Sequence, residues 1–107
     1  MCSILGVFDL RPGADLHPLR PLALSLSARQ RHRGPDWSGI YSADKAVLAH
    51  ERLSIVDVNT GAQPILSESG RQALAVNGEI YNHQEIRARY AGRYAFRTQS
   101  DCEVILP

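Results

Sequence analysis

The sequence predicts an α+β fold, on three observations. Ile4 to Phe8 is a short apolar run closed by the turn-rich Arg11-Pro12-Gly13, which is the pattern of a strand. Leu19, Leu22, Ala23 and Leu26 recur at helical spacing behind Pro18 and Pro21, and proline is at home in a helix's first turn. Trp37 to Ser42 and Ala46 to Arg52 read as two strands joined by a tight turn at Ala43-Asp44-Lys45.

The other elements follow in order. The first helix should end before Arg33-Gly34-Pro35, because a residue preceding proline leaves the helical region. Asn59-Thr60-Gly61 and Glu68-Ser69-Gly70 punctuate loops. Ala73 to Asn77 reads as a buried strand running straight into Gly78. Asn82, with Glu85 three residues on, forms a capping pair that starts a short helix to about Tyr90. Ala95 to Thr98 reads as one more strand. Ser100-Asp101-Cys102-Glu103 is a second capping box, opening a helix through Val104-Ile105-Leu106. Fewer than two turns remain before Pro107, so the chain reads as ending in mid-fold.

Composition narrows the function classes. A chain of 107 residues with 44% hydrophobic and 21% charged residues is one small globular domain at most. A formal net charge of +1 gives no strong steering toward nucleic acid or membrane. No apolar run approaches the roughly 20 residues of a membrane span, and the N-terminus lacks a signal peptide's pattern. Cys2 and Cys102 cannot be read as a disulfide framework, so a cytoplasmic setting is expected. His17, His32, His50 and His83 share no metal-ligand spacing, and no phosphate-binding loop is present.

Cys2 carries the most chemistry. Methionine is normally trimmed before so small a residue, which would leave one residue bearing a thiol and a free α-amine. An α-amine has a pKa of roughly 7.7–8.0, so it can take a proton near neutral pH, and a thiol beside a base is what covalent acyl transfer needs. A small buried hydrophobe starting a strand is the other reading of the same residue. Asn77-Gly78 offers an amide and a backbone N–H as a pair of oxyanion donors, although turn chemistry also accounts for the pair. Arg52 suits a bidentate carboxylate contact or a surface ion pair. Asp101 suits a substrate ammonium or the dipole of the helix it opens. The basic run Arg29 to Arg33 reads as a solvated or structural loop rather than a polyanion site.

In this order, the Cys2 start, Arg31-His32-Arg33-Gly34-Pro35-Asp36, His50 to Asp57, Ala75 to Asn82 and Ser100-Asp101 resemble the glutaminase domain of glutamine-hydrolysing asparagine synthetases. These domains are class II glutamine amidotransferases among the N-terminal-nucleophile hydrolases. The resemblance runs from Met1 to Leu106. It implies part of a four-layer αββα sandwich with antiparallel sheets, residues 1–107 being an incomplete N-terminal portion without the synthetase domain. It makes Cys2 the nucleophile, with Asn77 and Gly78 as the oxyanion hole. Arg52 would take the glutamine α-carboxylate and Glu79 with Asp101 its α-ammonium, while Leu53, Ser54, Ile55 and Val56 line the pocket. The glutaminase reaction would need no cofactor or metal; ATP and Mg belong to the synthetase domain, where ammonia would amidate aspartate. Glutamine and that domain are the implied partners, with no nucleic acid or membrane and the oligomeric state left open. An inactive truncated fragment, or an amidotransferase feeding another acceptor, stands as the alternative.

Overall fold

The computed structural model describes residues 1–107 except 44, 56 and 58. Strand β1, Ser3–Phe8, pairs antiparallel with β3, Ala46–Arg52, and β2, Trp37–Ala43, pairs antiparallel with the other edge of β3. The order β1-β3-β2 therefore places the third strand in the middle. The expected hairpin is present, with Ala43 opposite Ala46; Asp44, at the centre of the expected turn, lies outside the described residues. A second antiparallel pair, β4 (Ile65–Leu66) with β5 (Ala73–Leu74), completes a small α+β fold.

Alternation along β3 sorts its side chains onto two faces. Val47, Ala49 and Glu51 face helix α1, Leu19–Ala28, which packs across the strand. His50 and Arg52 face the opposite side, where the candidate site forms. Val47, Ala49, His50, Glu51 and Arg52 are all buried. Glu51 is held by Ser27 Oγ at 2.8 Å, Ser38 Oγ at 2.6 Å and Arg31 Nε at 3.4 Å. Burial alone would raise its pKa, but these bonds together hold it below 4.5.

Helix α1 corrects the expected apolar face. Its buried residues are Ala23 and Ser27, four apart, while Leu22 and Leu26 stay exposed. Small side chains let the helix lie close enough for Ser27 to reach Glu51, so shape and a hydrogen bond override the leucine stripe.

Four further expectations change. The strand expected from Ala73 to Asn77 stops at Leu74, because the Val76 peptide takes side chains as partners instead of a strand: Gln63 Oε1 accepts its N–H at 2.7 Å and His50 Nε2 reaches its carbonyl at 3.0 Å. Ala95 to Thr98 forms no strand; the N–H groups of Arg97 and Thr98 both donate to the Glu103 carboxylate at 2.7 Å. Helix α2, His83–Arg89, begins after Asn82 without a side-chain cap; the Asn82 carbonyl accepts from Glu85 and Ile86. Half of the second capping box forms. Ser100 Oγ accepts the Cys102 N–H at 3.3 Å, opening a 3-10 helix, Asp101–Ile105, whereas Glu103 turns to Arg97 and Thr98.

Candidate active site

The start of β1, the end of β3, the segment after β5 and the 3-10 helix converge on a pocket of about 240 Å³. Cys2, Arg52, Leu53, Ile55, Asn77, Gly78, Glu79 and Asp101 line it, together with Met1, Gln63, Val76, Ser100 and Cys102. Eight of the ten residues named from the sequence thus meet in one place. Ser54 instead lines a neighbouring cavity with Asp36 and Trp37, and its N–H donates to Asp36 Oδ2 at 2.8 Å. Val56 lies outside the described residues.

Cys2 precedes the first β1–β3 pair, Ser3 with Glu51, so the ladder carries its sulfur to the end of β3. The Leu53 N–H donates to Sγ at 3.3 Å, and Sγ faces the Leu53 carbonyl at 3.7 Å. The Cys2 N–H donates to Asn77 Oδ1 at 3.1 Å, and the Cys2 carbonyl accepts Arg33 Nε at 3.2 Å. Arg33 reaches it because Gly34 lies flat on the Glu51 carbonyl, where any Cβ would collide. Leu53 therefore holds the sulfur, while Asn77 and Arg33 hold the Cys2 backbone. The rest of the basic run is also tied down: Arg31 donates to Glu51 and to Ser38.

Asn77 and Gly78 are not the turn that their pairing suggests. Positive φ occurs among the described residues at Asp9, Asp57, Gly13, Gly70 and Gly92, whereas an Asn-Gly hairpin turn needs it at both central positions. With Oδ1 accepting from Cys2, the Asn77 amide keeps its Nδ2 hydrogens for another acceptor. A Cβ built on Gly78 would meet nothing within 4 Å. Gly78→Ala is accordingly expected to keep the stability of the fold to within about 0.5 kcal/mol; a thermal midpoint several degrees lower would show that the glycine serves packing.

The charged walls come from the end of β3, the segment after β5 and the 3-10 helix. Arg52 Nη2 donates to the Asp57 carbonyl at 2.6 Å. Asp57, at φ 52°, caps its own loop through Thr60 and Gln99. Burial alone would raise its pKa, but these donors hold it below 3.8. Asp101 is buried, and its Oδ2 accepts the Ile80 N–H at 2.7 Å. Glu79 is exposed at the mouth.

Cys102 is the second thiol of the pocket, which the sequence reading passed over. Its Sγ donates to the Gly78 carbonyl at 3.4 Å. Burial first, and then the neighbouring Asp101 charge, pushes its pKa up to about 12, so it is a neutral thiol while Cys2 is the more exposed one. Gln63 and His50 were missed as well. No local pattern marks them, because each acts on a backbone group far along the chain. Among the described residues, no group of three or more His, Cys, Asp or Glu gathers as a metal site, and no helix is long and apolar enough to cross a membrane.

Acid should weaken the fold in two stages. Burial holds the pKa of His50 below 6.5, and Glu51 and Asp57 also titrate below their ordinary values. In each case the unfolded chain binds protons first, so stability is full above the unfolded pKa and is lost as pH falls through the folded one. Thermal midpoints should be level near pH 7–8, decline below about pH 6.5 and fall further below about pH 4.5. A midpoint that rose on acidification would contradict the burial of these groups.

The family model described as a glutamine amidotransferase domain matches residues 1–107. Asparagine synthetase B (glutamine-hydrolysing) of Escherichia coli K12 is 65% identical over 106 residues, covering 99% of this chain and 19% of that protein. A probable glutamine-hydrolysing asparagine synthetase of Schizosaccharomyces pombe is 52% identical with the same coverage. The Saccharomyces cerevisiae asparagine synthetase 1 is 51% identical over 107 residues, covering all of this chain and 18% of that protein. The chain thus spans about a fifth of the length of these relatives. With the match extending over every residue, and with Cys2, Asn77-Gly78, Arg52, Glu79 and Asp101 gathered in one pocket, the chain belongs to the glutamine amidotransferase domain family.

Proposed function

We propose that this chain hydrolyses the side-chain amide of glutamine through a Cys2 thioester, and that the ammonia serves ATP-dependent amidation of aspartate to asparagine elsewhere in the same protein. The observation that carries the reading is the single pocket that joins Cys2 to Asn77-Gly78 and to Arg52, Glu79 and Asp101.

Loss of Met1 would convert the Cys2 nitrogen from a peptide N–H into an α-amine, free to take the thiol proton. The sulfur then attacks the amide carbon; a C–S bond forms and the carbonyl electron pair moves to oxygen. Asn77 Nδ2 and the Gly78 N–H face that oxyanion, an arrangement often worth a few kcal/mol. Collapse breaks the C–N bond, the α-ammonium gives its proton to the departing ammonia, and water cleaves the thioester to glutamate. Arg52 takes the α-carboxylate, and Glu79 with Asp101 take the α-ammonium, because a zwitterion needs both charges matched on leaving water. Leu53 and Ile55 line the side chain's path, with Ser54 and Val56 completing that segment.

Names of the relatives support asparagine as the product. ATP and Mg would act in the part of the protein that this chain does not span, as would the remainder of a four-layer αββα sandwich around the two sheets. Two free cysteines suit a reducing cytoplasm.

The test supplies glutamine to the protein carrying this chain, with Met1 removed, and measures glutamate release. Added hydroxylamine should intercept the thioester as the γ-hydroxamate, and a rapid quench should find the glutamyl mass on the Cys2 peptide. Absence of both products would overturn the reading.

A further inference from the structure

The Val76 peptide lies directly before the oxyanion pair Asn77-Gly78, yet β5 has already ended at Leu74. Its two backbone groups are satisfied by two buried side chains. Gln63 Oε1 accepts the Val76 N–H at 2.7 Å, and His50 Nε2 donates to the Val76 carbonyl at 3.0 Å. His50 is fully buried and Gln63 is 7% exposed.

Both side chains are themselves fixed. His50 is in the middle strand, between Ile4 on one side and Gly39 on the other. Gly39 is directly opposite His50 and shares its face. A Cβ there would collide with the Gln63 carbonyl, so glycine is what lets the Gln63 backbone rest on the sheet beside His50. Burial keeps the imidazole neutral near pH 7, which leaves one ring N–H. The Val76 carbonyl requires that hydrogen on Nε2, and Nδ1 is buried without a partner.

We propose that His50 and Gln63 are positioning residues that grip the Val76 peptide from its two ends and so set where Asn77 and Gly78 present their N–H groups. Neither is a catalytic residue: His50 and Gln63 act through the backbone. The proposal rests on the glutaminase reading for its consequence, but the grip itself is a property of the fold. Oxyanion donors help only when aimed at the place the charge develops, and a displacement of about 1 Å can cost on the order of 100-fold in rate.

The test uses the full chain-bearing protein with Gln63→Met, which keeps length and loses the acceptor, His50→Leu, which loses the donor, and His50→Gln, which keeps one. Amide hydrogen exchange is read first. In Gln63→Met the Val76 amide should exchange roughly tenfold or more faster, while the Val47 and Ala49 amides of β3 keep their protection. Glutamine turnover is read second. Gln63→Met and His50→Leu should lower kcat on the order of 10- to 100-fold with KM and the rate of Cys2 alkylation by iodoacetamide little changed. His50→Gln should recover most of the loss, and if His50→Leu does not fold, Gln63→Met alone carries the loss of kcat. Unchanged Val76 exchange overturns the grip. Faster exchange with unaltered kcat, or KM and alkylation moving together with kcat, overturns the positioning role. No turnover in the unsubstituted protein sinks the glutaminase reading instead, and the exchange result then decides the grip alone.

Discussion

Cys2→Ala should abolish glutamate release while leaving glutamine bound. The sulfur is the only atom at this position able to form the covalent intermediate, and its removal costs only the contacts with Leu53, whose N–H donates to Sγ at 3.3 Å. The Cys2 nitrogen still donates to Asn77 Oδ1, and its carbonyl still accepts Arg33. The cavity left is small, since Cys2 is only partly buried. Losing a nucleophile typically removes a factor on the order of 10⁶ in kcat. The residues proposed to bind glutamine, Arg52, Glu79 and Asp101, are not touched by the substitution. Calorimetry with glutamine should therefore give an affinity within about threefold of the unsubstituted protein, the scale of a small change in contact energy. Residual turnover within tenfold would place the nucleophile elsewhere.

The largest effect on stability is expected at Glu103. Its carboxylate is fully buried and accepts from the Arg97 N–H, the Thr98 N–H and the Thr98 hydroxyl, at 2.7, 2.7 and 2.6 Å. Arg87 Nη2 stands 3.9 Å away and spends its own hydrogens on the carbonyls of Thr98 and Ser100. Glu103→Ala would orphan two backbone donors and a hydroxyl and leave Arg87 without its counter-ion. Each unsatisfied buried group costs about 1–3 kcal/mol, so about 3–5 kcal/mol in all is expected. Denaturant unfolding should report that loss, and Glu103→Gln, which keeps one acceptor, should lose clearly less. A loss below about 1 kcal/mol in the alanine variant would mean that water reaches the freed groups. The same clamp positions the 3-10 helix that carries Asp101, so glutamine affinity should fall with it.

The parts of the fold legible in the sequence are those specified locally. The strand at Ile4 to Phe8, the hairpin and the first helix follow from alternation, spacing and proline, and the structure contains them at nearly those bounds. The errors share one cause. At Ala75 to Asn77 and Ala95 to Thr98 the residues have strand character, but side chains capture the backbone donors before a partner strand can: Gln63, thirteen residues before Val76, and Glu103, five and six residues after Thr98 and Arg97. The two-residue strand at Ile65–Leu66 went unread because so short a run carries no period. The site divides similarly. Cys2, Arg52, Asn77, Gly78, Glu79 and Asp101 belong to motifs whose order is informative. Arg33 was visible only as part of a basic run, and its contact with the Cys2 carbonyl depends on the glycine after it. Gln63, His50 and Cys102 reveal themselves only when the chain is folded.

The pocket joins residue 2 to residue 101, and this has a consequence for biosynthesis. Cys2, the proposed nucleophile, leaves the ribosome about a hundred residues ahead of Asp101, the carboxylate proposed to hold the substrate's ammonium. At 5–20 residues per second, several seconds separate the two. Until that interval ends the pocket is incomplete: Arg52 and Asn77 emerge part-way through, and Asp101 comes last. On the proposed function, catalytic competence therefore waits for the synthesis of Asp101, and Cys2 stands beside an unfinished pocket until then.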